Sequence, residues 1–390
     1  METLIELYDE RPMENTLGVE MFRPKRVVYI CPEAAARDAV LQKKLRAYFS
    51  KRGLQAELIF FKADVYDAEA VLALLRRILE RYPDCAMDIT GGTDAVLFAA
   101  GLLSAEAQIP VFTYSRKKNS FYNIRHADFA DGLVCPLRYK VEDFFLMAGG
   151  SVREGRVNNA LLERYLPDFD PFFRVFLDHR RDWTRIVTYL QRVSPGGADG
   201  SYSLEISGPY TVKGERGSRI DAPEDALHDL ARIGFLRNLR ITEEAVSFRF
   251  RDGQIRAWLR DVGSVLETYV YKSCLDTGIF DDVCLSVIAD WEGENKSNSV
   301  SNELDVMCCR GVVPLFISCK TCDVKTEALN ELAVLRDRFG GEMARAAIVT
   351  AERGNARMRN RAAELDIQVI ELSDLNADRL QQRLKRCMNI

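Results

Sequence analysis

From residue 3 to residue 115 short apolar runs alternate with amphipathic stretches of helical period, and that rhythm leaves little besides a parallel sheet covered by helices. "TLIELY", "KRVVYIC" (25–31), "QAELIFFKAD" (55–64), "CAMDIT" (85–90) and "IPVFTYS" (109–115) read as strands. Between them, 34–53, 67–83 and 93–108 read as helices, the first stopped by Gly53 and the second by Pro83. The expectation is an α/β unit with a Rossmann-like sheet over residues 1–150.

The rhythm fails after that. Residues 222–250 read as a helix followed by two short strands, the shape of a winged helix, which often binds duplex DNA but by itself is read first as a spacer or dimerisation module. "SPGGADGS" (194–201) reads as a loop. From residue 256 onward a helix (257–278) leads to a hairpin at 301–322, then a helix (325–340), a strand (345–351), a helix (353–365) and a strand (367–372). A chain of 390 residues exceeds what one core usually serves. Three units are therefore expected, at 1–150, 151–255 and 256–390.

Composition excludes some partners. The formal net charge is -4, so there is no global basic field for nucleic acid, and a polyanion would need a local patch. No apolar run approaches the roughly 18 residues of a membrane span, and the acidic start "METLIELYDERPMEN" lacks a signal-peptide core. The reading is a cytoplasmic protein without a membrane partner. Ten cysteines sit mostly in apolar runs, as reduced buried thiols do. Cys308-Cys309 and Cys319-x-x-Cys322 imitate a zinc set, but adjacent residues of a strand face opposite ways, so a shared metal is not expected.

One loop in the first unit carries chemistry. "DITGGTDAV" (88–96) reads as strand, Thr90-Gly91-Gly92-Thr93, then helix. Glycines at such a turn let backbone approach a ligand, and the helix start offers free N–H groups suited to phosphate or hydroxyls. A tight turn with no ligand fits the residues as well. The segment "YDERPMENT" (8–16) ends the first strand at the same sheet edge, where open parallel sheets bind ligands. Neither segment is a Walker A loop or a GxGxxG fingerprint.

The hairpin places charge where buried strands avoid it. Asp305 lies among Leu304, Val306 and Met307, and Lys320 follows Leu315, Phe316 and Ile317. Metal-dependent nucleases need carboxylates for Mg²⁺ or Mn²⁺ and a lysine to orient water or offset developing charge. Glu267, on the preceding helix, completes such a set, while a plain Asp305–Lys320 salt bridge is the alternative.

With "NELDV" and "FISCK" in this order, the third unit resembles the restriction-endonuclease-like PD-(D/E)xK nucleases. The first unit resembles a CARF domain, the sensor of CRISPR-associated proteins, and the whole resembles the ancillary nucleases of type III CRISPR systems. The resemblance implies a homodimer switched on by cyclic tetra-adenylate and cutting DNA, RNA or both with Mn²⁺ or Mg²⁺. It implies Asp305 and the backbone carbonyl of Cys319 as metal ligands, Lys320 as catalytic lysine and Glu267 as the helical glutamate. It implies Thr90, Gly91, Gly92 and Thr93, with Asp9, Glu10, Arg11 and Asn15, around the cyclic oligoadenylate. The acid expected two residues before the lysine is Ser318, which leaves the site one negative charge short; Glu303, two before Asp305, is the nearest substitute. Two other readings are a DNA-binding regulator with a degraded nuclease fold, and a ring nuclease cleaving its own signal. For the latter, neither ligand loop holds a histidine; the three are His126, His179 and His228.

Overall fold

The computed structural model describes residues 1–153, 162–196, 201–214, 217–293 and 301–389, so part of the loop read at 194–201 lies outside the described residues. The first sheet holds β1 (Thr3–Leu7), β2 (Arg26–Cys31), β3 (Glu57–Lys62), β4 (Cys85–Asp88), β5 (Val111–Ser115) and β6 (Ser120–Arg125) in the order β3-β2-β1-β4-β5-β6. All neighbours are parallel except β5 and β6. Central β1 is buried along its whole length, as a strand covered on both faces must be. The helices Ala68–Arg81 and Asp94–Ala107 cover the face that carries Ile5, Val28 and Met87. The helix expected over 34–53 is two, Glu33–Arg37 and Ala39–Lys51. Asp38 between them is extended, and its carboxylate accepts the N–H groups of Val40 and Leu41. An aspartate that can cap a new helix competes with continuing the old one.

The chain then gives β7 (Ser151–Arg153) and enters the connector. There β8 (Glu205–Pro209), β11 (Leu236–Ile241) and β12 (Ala245–Phe250) form a three-stranded antiparallel sheet beside the ribbon of β9 (Thr211–Lys213) and β10 (Arg219–Asp221). The helix Glu224–Arg232 followed by β11 and β12 is the winged-helix-like segment.

A second six-stranded sheet follows, with β13 (Asp282–Asp290), β14 (Ser301–Arg310), β15 (Val313–Lys320), β16 (Arg345–Thr350) and β17 (Ile367–Ile370) in the order β17-β16-β15-β14-β13-β7. β7 therefore reaches this sheet before the connector begins, pairing Ile288 with Arg153. The helix expected over 257–278 is broken into Gly253–Trp258 and Ser264–Asp276. Asp261 accepts the N–H of Gly263 in the break, the local turn that short carboxylates favour.

Two cores flank this sheet. One runs from Leu4, Tyr29 and Phe112 of the first sheet through Phe144 and Phe145 to Met307, Phe316 and Ile348. The other joins Phe172, Trp183 and Phe235 of the connector to Val306, Cys308, Ile317 and Val349. The second sheet is thus held between the sensor-like unit and the connector.

Under the helix Leu17–Phe22 two acids lie side by side, Glu6 on β1 and Asp88 on β4, each 1% exposed. Burial pushes the Asp88 carboxyl up to about 7. Burial, with Asp88 second, drives Glu6 well above the usual range. Gly18 closes the site: a Cβ there would lie 2.1 Å from Asp88 Oδ2. Gly18→Ala should destabilise the protein by about 1–3 kcal/mol through overpacking, read as a lower denaturation midpoint. An unchanged midpoint would show that the helix lifts freely off the two acids.

Candidate active site and sensor loops

The hairpin site sits where a strand ladder fails. β14 and β15 pair from Arg310↔Val313 to Val306↔Ile317. At the next residue the side chain replaces the ladder: Asp305 Oδ2 accepts the backbone N–H of Cys319 at 2.6 Å, the Ser318 hydroxyl at 3.1 Å and the Lys320 ammonium at 3.5 Å. On the other side Ser286 of β13 stands at φ 53, and pairing skips from Leu285↔Val306 to Val287↔Leu304. A serine with left-handed backbone inside a strand is an uncommon, strained conformation. Both strands change face there, since Leu285 and Val306 enter the connector-side core while Val287 and Leu304 enter the sensor-side core. Asp305 occupies the crossover.

Glu267 projects from the first turn of the helix Ser264–Asp276. Its carboxylate lies over Gly263, where a Cβ would come within 2.4 Å of Oε1. Burial first, then the charges of Asp305, Asp261 and Glu303, push Glu267 up to about 8, with Lys320 working the other way. The field of this corner is thus short of positive charge. Glu303 is exposed and pairs in register with Ile288.

Among the described residues no group of three His, Cys, Asp or Glu side chains converges closely enough to hold a metal ion. Glu267, Asp305 and Glu303 are therefore not gathered into a ready cage. The donors that do meet are Asp305, the Ser318 hydroxyl and the strand edge at Cys319. In an extended strand a residue's N–H and C=O face the same neighbour, so the Cys319 carbonyl faces the side of Asp305. One carboxylate, one carbonyl and a charge deficit suit a hard divalent ion that completes its shell with water and phosphate. The cysteines supply nothing: Cys308 and Cys309 enter different cores, Cys319 is buried and Cys322 is exposed.

The two loops of the first sheet are tied to each other. The Asp9 carboxylate takes the Arg11 N–H and two guanidinium bonds, and at 3.2 Å the N–H of Gly92. Burial works to raise the Asp9 carboxyl, but Arg11 prevails and holds it below the ordinary value. Asn15 accepts the Asp9 N–H and donates to the carbonyls of Asp9 and Arg11. Glu10 is exposed. Gly91 and Gly92 are consumed by packing: a Cβ on Gly91 would meet Asp9 Cβ at 2.9 Å, and one on Gly92, at φ +104, would meet Leu7 Cβ at 2.9 Å. The glycines thus admit the neighbouring loop. The Thr90 hydroxyl donates to Asp88 and accepts the Tyr114 N–H, and the Thr93 hydroxyl donates to the Val65 carbonyl. A residue missed in the sequence is Arg116, directly after β5 at the same edge; the basic run Arg116-Lys117-Lys118 was its only signal.

No curated protein matches the chain. Protein VC1899 from Vibrio cholerae, a crystal structure, superposes with a TM-score of 0.73 at 17% identity, over 99% of this chain and 97% of that one. Can2 from Sulfobacillus thermosulfidooxidans, solved in complex with cyclic tetra-adenylate, gives 0.71 at 15% identity over 100% of both chains. These likenesses show a shared fold over the length of the chain. Residues 259–388 match the family model of the Card1-like endonuclease domain, and Glu267, Asp305, Ser318 and Lys320 all lie inside the matched span.

Proposed function

We propose that the protein is a cyclic-oligoadenylate-activated, metal-dependent nuclease of type III CRISPR antiviral defence, acting in the cytoplasm. The observation that carries this is the Asp305 carboxylate, held at a failed strand ladder by Cys319, Ser318 and Lys320 inside the endonuclease domain. The activator reading rests on the two tied loops at the sheet edge, and cyclic tetra-adenylate is favoured because Can2, of the same fold, was solved with it.

Asp305 and the Cys319 carbonyl would hold Mg²⁺ or Mn²⁺, with Glu267 joining once it loses its proton. That ion, when bound, polarises the scissile phosphate and acidifies a water. Lys320, about one-third exposed at the strand end, reaches the same corner and offsets charge developing on the phosphate. Ser318 contributes no charge, which favours Mn²⁺ over the more demanding Mg²⁺. A homodimer is supported by the helix Asp94–Ala107, whose outer face leaves Phe98 62% exposed beside Leu102 at 36%. The substrate is a nucleic acid. The regulator reading is weakened by the helix Glu224–Arg232, whose exposed residues include Glu224 and Asp225, a poor match for DNA phosphate. Ring cleavage would lack its commonest general base, because His126, His179 and His228 stand outside both loops.

Two measurements test the reading. Purified protein is mixed with labelled single- and double-stranded DNA and RNA, with and without cyclic tetra-adenylate and Mn²⁺. Cutting should need both additions, and ligand-independent cutting or none at all would sink the proposal. Asp305→Asn, which keeps an oxygen to accept the Cys319 N–H, should lose cutting while melting and binding ligand like the wild type. A merely structural Asp305 would give the reverse. The second measurement uses pH. Because the folded-state carboxyl of Glu267 titrates at about 8, above its unfolded value, wild-type stability falls as pH rises from about 4.5 through 8. In a chelator, Glu267→Gln should therefore melt higher than wild type at pH 9 and equally at pH 4. It should also lose Mn²⁺-dependent cutting. Equal melting at both pH values would remove the buried acid from the site.

A further inference from the structure

We propose that Arg11 and Arg116 form an anion-binding pair on the sensor edge, and that Glu342 of the nuclease unit occupies it until a phosphate of the activator takes its place. This rests on the sensor reading above. Arg11 follows β1 and Arg116 follows β5, both at the carboxyl ends of parallel strands, where ligands of open sheets bind. Each guanidinium is anchored from behind by a largely buried acid. Arg11 gives Nε and NH2 to Asp9, and Arg116 gives NH2 to Glu14, which is 4% exposed. Each keeps NH1 forward, and both NH1 groups meet one carboxylate: Arg11 on Glu342 Oε1, and Arg116 on Glu342 Oε2 at 2.6 Å.

The three partners differ in how easily they yield. Asp9 and Glu14 are shielded, whereas the Glu342 side chain is 50% exposed, so solvent and solutes reach it. A phosphodiester, though tetrahedral, offers two non-bridging oxygens that share one negative charge, as the two oxygens of a carboxylate do, and arginine forks take either. Glu342 is thus a stand-in for phosphate supplied by the chain itself.

Its position couples the exchange to the catalytic unit. Glu342 lies in the turn Gly341–Met343 directly after the helix Thr326–Gly340, and that helix packs against β15 and β16. β15 ends at Lys320. Ligand that takes the two arginines must release the far end of this helix, so the energy of ligand binding and the setting of the nuclease sheet become one linked quantity.

Calorimetry and cutting assays on the full chain decide it, with cyclic tetra-adenylate as the probe. Glu342→Gln removes the competitor's charge, so its Kd should fall about threefold to tenfold, the worth of one or two half-exposed ion pairs. The ligand concentration for half-maximal cutting should fall equally, and cutting without ligand should rise. Arg116→Gln should move Kd the opposite way. A merely structural tether would weaken binding in both variants, and that result, or an unchanged Kd in Glu342→Gln, would overturn the proposal. If the wild type binds no cyclic oligoadenylate, the sensor reading fails first and the competition falls with it.

Discussion

One apolar core ties the sensor sheet to a face of the nuclease sheet, and most of the molecule's behaviour follows from it. Phe145 and Phe339 stand 4.7 Å apart between the two units, with Trp291 against Phe339 at 5.7 Å. Burying one such side chain is worth about 1.5–3 kcal/mol, and many of them together hold the two sheets against each other. On the sensor reading proposed above, a signal at the sheet edge would pass by small rearrangements around this core, through polar contacts at its rim. Arg11, Arg116 and Glu342 lie on that rim.

The corner around Asp305 follows another constraint. A buried backbone N–H needs an acceptor, and at Cys319 the acceptor is a side chain. The carboxylate that could do metal chemistry is also the group that completes the strand. Structure and function therefore compete for the same oxygen. All three donors fall on Oδ2, which leaves Oδ1 clear of those bonds. Burial, with Asp305 second, pushes the Glu267 carboxyl up, which limits the like charge that gathers in this corner.

Periodicity made the first sheet legible. The strands Thr3–Leu7, Arg26–Cys31 and Cys85–Asp88 bury apolar runs on both faces, and helical period between them marks the crossovers. The hairpin was legible because Asp305 and Lys320 violate the rule for buried strands, and the resemblance drawn from them is borne out by the endonuclease-domain match. The helix breaks at Asp38 and near Gly263 were hidden, since helical period continues through both and only a local side-chain bond decides. The role of Gly91 and Gly92 was hidden too, because a sequence shows that backbone comes close to something without showing to what. β13 is masked by Ser286, whose reversed backbone interrupts the alternation of faces. Arg116 and Glu342 meet only once both sheets are packed, so no local pattern announces them.

The distribution of sulfur has a practical consequence. Burial pushes the Cys31, Cys284 and Cys387 thiols up to about 12 and Cys85 up to about 11, and Cys322 is exposed two residues beyond Lys320. Thiolates are the reactive form, so buried thiols of this kind are inert toward alkylating dyes. The unaltered native chain therefore presents its exposed thiol beside the Asp305–Lys320 hairpin. A fluorophore placed there would report on the nuclease corner during activation, with no need to strip the other cysteines from the core.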